Sequence, residues 1–375
     1  MRLRTFYVLL SLTLLASCGD SGNGGPPPPP ATDHFAYVSN SDSNSITAYK
    51  IDSTSGALGA MTGSPFGGVD APLGLALSPG GDFLASGNLN GGGVSIFRVD
   101  KTNGSIALVA GSPFPTSGGG FPVDSKFHSS GKFLYAGMQV STTSNVSAFS
   151  VDASTGVLTP VPGSPFSGQP AVGGGGVNSI ALHPSGNYLY SSGAFLGITG
   201  YAVDSATGVL NQLAGSPFIP AGSFFNSKVV VHPSGNFLYM ADFDVDGVRV
   251  FPIASDGSLG AAVASSPFAT GLGPRAIAFD PTGKFAYVIN DGDSNVTAFT
   301  VNAATGELTF AGNTDTGVGP FDLTVDSSGK FLYVTNQSDG NVSAYSIDSS
   351  SGALSPMASS PFAAANSPIS IVTTK

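Results

Sequence analysis

The sequence predicts an all-β protein, a seven-bladed β-propeller with four antiparallel strands per blade, and three observations predict it. Composition is the first. A chain of 375 residues with 52 Gly, 27 Pro, 26 Phe and 11 Tyr, and only 10% charged residues, is dense in turns and rich in strand formers. The second is a repeat found seven times. The third is that the two ends of the repeat complement each other.

The leader comes first in the chain. MRLRTFYVLLSLTLLASC places Arg2 and Arg4 before an apolar run from Phe6 to Ala16, followed by small residues. Such a run is too short to span a bilayer and suits a secretory signal over residues 1–17. Leu15-Ala16-Ser17-Cys18 resembles a bacterial lipobox, which implies cleavage before Cys18 and lipidation of that residue. An ordinary signal peptide with an incidental cysteine is the alternative. Cys18 is the single cysteine, so no intramolecular disulfide forms. Residues 18–33 then read as the lipidated Cys and a Gly/Pro-rich tether, with Pro26 to Pro30 a polyproline II spacer.

Residues 34–375 are the repeat. An aromatic residue opening an apolar strand recurs from FAYVSN at Phe35 to FLYVTN at Phe331, and hairpin glycines recur from Gly56 to Gly352. A GSPF or SSPF motif recurs six times, from Phe66 to Phe362, with one copy decayed near Gly312. Each landmark marks units of 46 to 55 residues. The unit from Arg275 to Leu308 shows the four strands. RAIAFD is strand a, FAYVIN strand b, VTAFTV strand c and ELTFA strand d, alternating at period two and separated by Pro- or Gly-containing turns. Four such strands in about 50 residues make a propeller blade. We read the SPF phenylalanines as wedges between blades. Beyond the leader no segment sustains a helical period.

The domain opens on a strand b without a strand a and ends on SPISIVTT, a strand a without a strand b. The C-terminal strand is therefore expected to complete the first blade and close the ring. A straight β-solenoid is the alternative, but stacked arrays carry distinct caps rather than interchangeable ends.

Charge narrows the function. The formal net charge is −10, and removing the leader leaves 11 basic residues, scattered singly, against 23 acidic ones. That balance excludes nucleic acid as a partner, because phosphate contacts need clustered Lys and Arg.

The combined pattern of PxG-[KN]-[FY], YV-x-N, SNV-x-AF-x-[VI]-D and TG-x-L over residues 34–375 resembles the lactonase propellers related to 6-phosphogluconolactonase and carboxymuconate cyclase, and the neighbouring YVTN-repeat surface propellers. The resemblance implies hydrolysis of a sugar lactone, with no cofactor and no metal. It also implies a site made of a histidine opening one strand a, an arginine in a GPRH motif opening the next, and a glutamate after the following strand b. Here Ser227 falls at the first position, GPRA keeps Arg275 but has Ala276 for the histidine, and Asp291 stands for the glutamate. ADFDVDGVRV, with Asp242 and Asp244, matches a stretch that reads DLG-x-D-RV in the family. The set is degraded.

The residues themselves point the same way. Strands a and b are antiparallel, so the start of a and the end of b share one end of a blade. Arg275, Asp291, Asp242 and Asp244 are expected at the mouth of the central channel. Arg275 then has two readings: stabilising charge on a lactone carbonyl, or pairing structurally with Asp291 or Asp242. Asp291 is either a general base or a turn-initiating Asp. His128, His183 and His232 sit before the a-to-b turn, where other units place Ser78, Asp280 or Asp326, and read as turn initiators at the opposite end. No two histidines have zinc-ligand spacing. Asp242 to Gly247 matches half of a calcium loop but has Ile253 at the twelfth position.

Two functions stand: a lactone hydrolase with Arg275 and Asp291 as catalytic residues and Asp242, Asp244 and Ser227 binding substrate, or a non-catalytic propeller binding an envelope glycan or protein. For the second, Phe195, Leu196, Phe224 and Phe225 lie in or near candidate contact loops. Either is expected as a monomer, exported to the bacterial cell envelope and touching the membrane only through its lipid anchor.

Overall fold

The computed structural model describes residues 33–117, 119–139, 143–170, 176–193, 197–218 and 228–375. The leader, Cys18 and the tether up to Thr32 lie outside these residues, as do Ser227, Phe195, Leu196, Phe224 and Phe225. The described chain forms seven sheets, each built around four antiparallel strands. Five sheets have four strands, and two add a short fifth strand against strand c, at Phe166–Pro170 and Phe362–Ala363.

Blade 1 joins the chain ends as expected. Its strands run Leu58–Ala60, Ser45–Ile51, His34–Asn40 and, innermost, the C-terminal strand Pro368–Thr373. The Phe35 N–H donates to Thr374 Oγ1 at 2.8 Å, and the Thr374 N–H donates to the Phe35 carbonyl at 2.9 Å. Innermost strands of successive blades pack against one another around the whole circle, from Pro72–Leu77 in blade 2 to Pro320–Val325 in blade 7 and back to Pro368–Thr373.

A repeated contact welds each blade to the next. The aromatic residue opening strand b lies on the c-to-d turn glycine of the following blade, so a Cβ added to Gly104 would stand 2.3 Å from Phe35, and one added to Gly56 would stand 2.4 Å from Phe331. Those glycines also have positive φ, 73° at both positions, so the residue type is required twice over. Two residues on from that aromatic, a buried tyrosine donates its hydroxyl to the same glycine's carbonyl, as in Tyr37 to Gly104 at 2.8 Å and Tyr239 to Gly306 at 2.7 Å. Blade 2 has Ala85 in this place. There Arg98 stacks over Phe83 and donates to the Ser154 carbonyl of blade 3.

The bond from Tyr333 to the Gly56 carbonyl, 2.8 Å, spans the ring closure. Both residues are buried. Tyr333→Phe is expected to lower stability by about 1–2 kcal/mol, because the carbonyl is left without its donor. The check is a urea titration, in which the midpoint falls and the slope stays constant.

The SPF motifs tie strand d back to strand c. In each, the serine hydroxyl accepts from a strand c N–H, as in Ser64 from Ala48 and Ser360 from Ala344, both at 2.9 Å, and the Ser–Pro bond is cis. Phe66 packs in a core shared by blades 1 and 2, and Phe268 in one shared by blades 5 and 6. These are the expected wedges. Where the motif has decayed, strand d instead runs on as Leu308–Asp315, with a register shift opposite Ala298 and Phe299.

Candidate active site in the central channel

The innermost strands set the site. Those of blades 1, 2, 6 and 7 open on proline, as in Pro72-Leu73-Gly74 in blade 2, Pro274-Arg275-Ala276 in blade 6 and Pro320-Phe321-Asp322 in blade 7, and Val123, Asn178 and Lys228 stand at the second position in blades 3, 4 and 5. A register irregularity at this point, between Pro274 and Ala276 and between Pro320 and Asp322, re-aims the side chains. The second residue of each pattern lines a cavity of about 580 Å³ in the channel. Blades 4, 5 and 6 contribute polar groups there, Asn178, Lys228 and Arg275. Blades 7, 1, 2 and 3 contribute Phe321, Ile369, Leu73 and Val123.

The third residue of the pattern is different in kind. Asp124, Ser179, Asp322 and Ser370 also line the cavity, but they stitch neighbouring strands together. Asp124 Oδ2 accepts from the Ile180 N–H at 3.0 Å and from Ser179 Oγ at 3.3 Å. Asp322 accepts from Ser370 Oγ at 2.9 Å, and Ser370 Oγ in turn accepts from the Leu75 N–H at 3.2 Å. Two lysines complete these carboxylates. Lys126 Nζ lies 2.6 Å from Asp124 Oδ1, and Lys228 Nζ lies 2.6 Å from Asp322 Oδ1.

Charge pairing decides the ionisation of this cluster. Burial pushes the Asp124 carboxyl up, but Lys126 and Lys228 with the Ile180 N–H outweigh it and hold the group below the usual carboxylate range. Burial likewise pulls Lys228 down, yet Asp322 and Asp124 more than offset this and raise it. Lys228 is thus a fixed cation.

Arg275 lies at the edge of this cluster. Its guanidinium stacks 4.2 Å from the centre of the Phe321 ring, and its Nη2 is 3.2 Å from Asp291 Oδ2. Pairing of Pro274 with Asn290 brings the two residues together, and the Asp291 N–H donates to the Gly273 carbonyl at 3.0 Å. Asp291 does not line the cavity but flanks it through Arg275. Asp242 is fully buried and turned away, accepting from Arg249 Nε at 2.5 Å and from the Asp244 N–H at 3.1 Å. Asp244 sits on the exposed turn Phe243–Val245. Ser227 lies outside the described residues.

The half-matched calcium loop is explained by these contacts. Asp242 is committed to Arg249, and Asp246 Oδ1 accepts from the Gly273 N–H at 2.8 Å, so both carboxylates face protein donors. Among the described residues no group of three or more His, Cys, Asp or Glu could hold a metal ion.

The histidines sit at the far turns and do more than initiate them. Nδ1 of His128, His183 and His232 contacts a serine two residues on, at 2.8 Å in each case, while Nε2 reaches a glycine carbonyl of the next blade at 3.1, 2.9 and 2.8 Å. They staple adjacent blades.

A family model described as lactonase, seven-bladed beta-propeller, matches residues 31–117, 228–309 and 290–372, more than half of the chain. The chain belongs to the lactonase family. The matched segments include the strands that carry Lys228, Arg275 and Asp322. A curated relative, the 6-phosphogluconolactonase of Pectobacterium carotovorum subsp. carotovorum (strain PC1), is 38% identical over 64 residues, which are 17% of this chain and 19% of that protein. Among solved structures, a putative 6-phosphogluconolactonase from Bacteroides uniformis ATCC 8492 aligns with a TM-score of 0.78 at 18% identity, covering 92% of this chain and all of that chain. The periplasmic gluconolactonase of Pseudomonas aeruginosa aligns at 0.70 with 19% identity, covering 92% and 99%. At these identities the structural likeness is one of fold.

Proposed function

We propose that this lactonase-family propeller hydrolyses a small lactone in its central channel, with sugar lactones, the class named in its relatives, the first to assay. The observation that carries the reading is Arg275 beside Lys228 on the wall of the 580 Å³ cavity. A guanidinium and an ammonium fixed by neighbouring carboxylates are preorganised donors for the oxygen that becomes negative when water adds to an ester carbonyl. Asp291, at the cavity's edge, holds the Arg275 guanidinium in place for that oxygen. The ring C–O bond then breaks, giving a hydroxycarboxylate and one proton. Family membership supports the reaction type, whereas the histidines of the family pattern are replaced by Ser227 and Ala276, so the two cations and Asp291 carry it here.

Export belongs to the same proposal. In this reading the leader directs export and a lipidated Cys18 tethers the propeller to the cell envelope through residues 18–33, which the lipobox-like Leu15-Ala16-Ser17-Cys18 supports. Mass spectrometry of the N-terminal peptide from membranes is expected to find Cys18 acylated; an unmodified or uncleaved N-terminus would overturn this part.

The activity is tested with the full chain and its Arg275→Ala variant by pH-stat, on aldonolactones with and without phosphate. Turnover above the spontaneous rate that vanishes in the variant is the expected result. If both proteins match the spontaneous rate on these and on an alkyl-substituted lactone, the catalytic reading fails. A second reading, a non-catalytic binder of an envelope glycan or protein, then takes its place. It is favoured by the exposed Phe243, Val245, Leu272 and Val318, all in loops at the Arg275 end of blades 5 to 7.

A further inference from the structure

The channel wall has two unlike halves, and this bears on which lactone it takes. Asn178, Lys228 and Arg275 form a polar arc on blades 4 to 6. In a ring of seven, blade 5 stands across from blades 1 and 2, so this arc faces Ile369 and Leu73, flanked by Phe321 and Val123. Among the described residues, blades 1 and 2 contribute no charged side chain to the lining, and Ser370, their one hydroxyl, is already bonded to Asp322 and the Leu75 N–H. A molecule held by Arg275 and Lys228 therefore presents its far side to hydrocarbon.

The charges also balance. Lys126, Lys228 and Arg275 are each paired with a carboxylate, Asp124, Asp322 and Asp291. Asp291 stands outside the lining, so among the described lining residues Arg275 is the one cation without a carboxylate inside the cavity, and a phosphate dianion would bring two charges to that one unless it displaced a carboxylate.

We propose that the preferred substrate is an uncharged lactone with an alkyl or aryl substituent, its carbonyl on Arg275 and Lys228 and its substituent on the Leu73 and Ile369 wall. This rests on the lactonase reading. A polyhydroxylated ring would bury hydroxyls against that wall without partners, at a cost of about tenfold in affinity for each. The cavity is larger than one sugar ring requires, which leaves room for the substituent.

The test compares δ-decalactone, glucono-δ-lactone and 6-phosphoglucono-δ-lactone as substrates of the full chain. In parallel, 6-pentylpiperidin-2-one, the unreactive lactam of the first, is titrated by calorimetry. We expect kcat/KM for δ-decalactone at least about tenfold above glucono-δ-lactone, and higher still above the phosphate ester. Leu73→Asn is expected to erase about tenfold of that preference, read as the ratio of kcat/KM for δ-decalactone to that for glucono-δ-lactone. Faster turnover of either sugar lactone overturns the inference and leaves the catalytic reading intact. Lactam binding without hydrolysis of any lactone overturns the catalytic reading and leaves only the apolar wall as a ligand surface, and neither binding nor hydrolysis overturns both.

Discussion

Arg275→Ala is expected to lower kcat/KM for lactone hydrolysis by about 10²–10³-fold, the usual effect of removing one preorganised donor from a developing oxyanion. The loss should fall on kcat, because the guanidinium gains most when the carbonyl oxygen becomes an alkoxide, and a ground-state contact alone would raise KM instead. Stability should change little. Arg275 and Asp291 are partly exposed, at 24% and 32% of their side-chain surface, and such pairs contribute at most about 1 kcal/mol. Arg275→Lys separates charge from shape, since it keeps a cation but loses the planar fork and the face stacked on Phe321. An intermediate rate is expected. If the alanine variant instead unfolds at a much lower urea concentration and the active fraction keeps its kcat, Arg275 is a structural partner of Asp291.

How far the sequence could be read depended on which physical signal each feature leaves. The blade period is legible because every blade needs a glycine under the preceding blade's aromatic, and Gly104 under Phe35 recurs as a visible spacing. Ring closure is legible because a strand without a partner must find one, and Pro368–Thr373 finds His34–Asn40. The site is legible only in part. Arg275 and Asp291 meet because antiparallel pairing forces them together, but a bulge near the start of an innermost strand, as between Pro274 and Ala276, decides which of two adjacent residues faces the channel. That decision leaves no trace in the alternation pattern. Counting back from Pro233 points to Ser227, which lies outside the described residues, and its neighbour Lys228 is on the channel wall. Asp124 and Asp322 carried a usable signal, a carboxylate within VDSKF and FDLTV where the other innermost strands have none. Asp242 reads as a channel residue because strand b ends there. Its removal by Arg249 depends on a side-chain contact across strands b and c that spacing does not announce.

Asp322→Ala is expected to cost about 3–5 kcal/mol, more than any other single change in the channel, because it leaves the Lys228 ammonium without its closest partner. The same carboxylate accepts from Ser370 Oγ and the Leu323 N–H, so three donors lose an acceptor at the joint between blade 7 and the C-terminal strand. Asp322→Asn retains an oxygen for Ser370 and should recover part of the loss, whereas Lys228→Met combined with Asp322→Leu removes both charges and should recover most of it. The pH dependence distinguishes a charge effect from simple loss of packing. Lys228 is raised in the native protein, so its pairing stabilises fully below the ordinary lysine value of about 10.4 and is lost as pH rises through the higher native value. Without Asp322 the partly buried ammonium is penalised wherever it stays charged, and that penalty fades as pH climbs toward and past about 10. The gap between wild type and Asp322→Ala in urea titrations should therefore be wide at pH 7 and narrow in alkali. Asp124 supplies the opposite limb. Its carboxyl is held low, so its contribution is present above the ordinary value of about 3.9 and disappears as pH falls through the lower native one. A gap that stays constant from neutral to alkaline pH would mean that Asp322 acts through packing and its hydrogen bonds, and that Lys228 is free to answer to a ligand rather than to its neighbour.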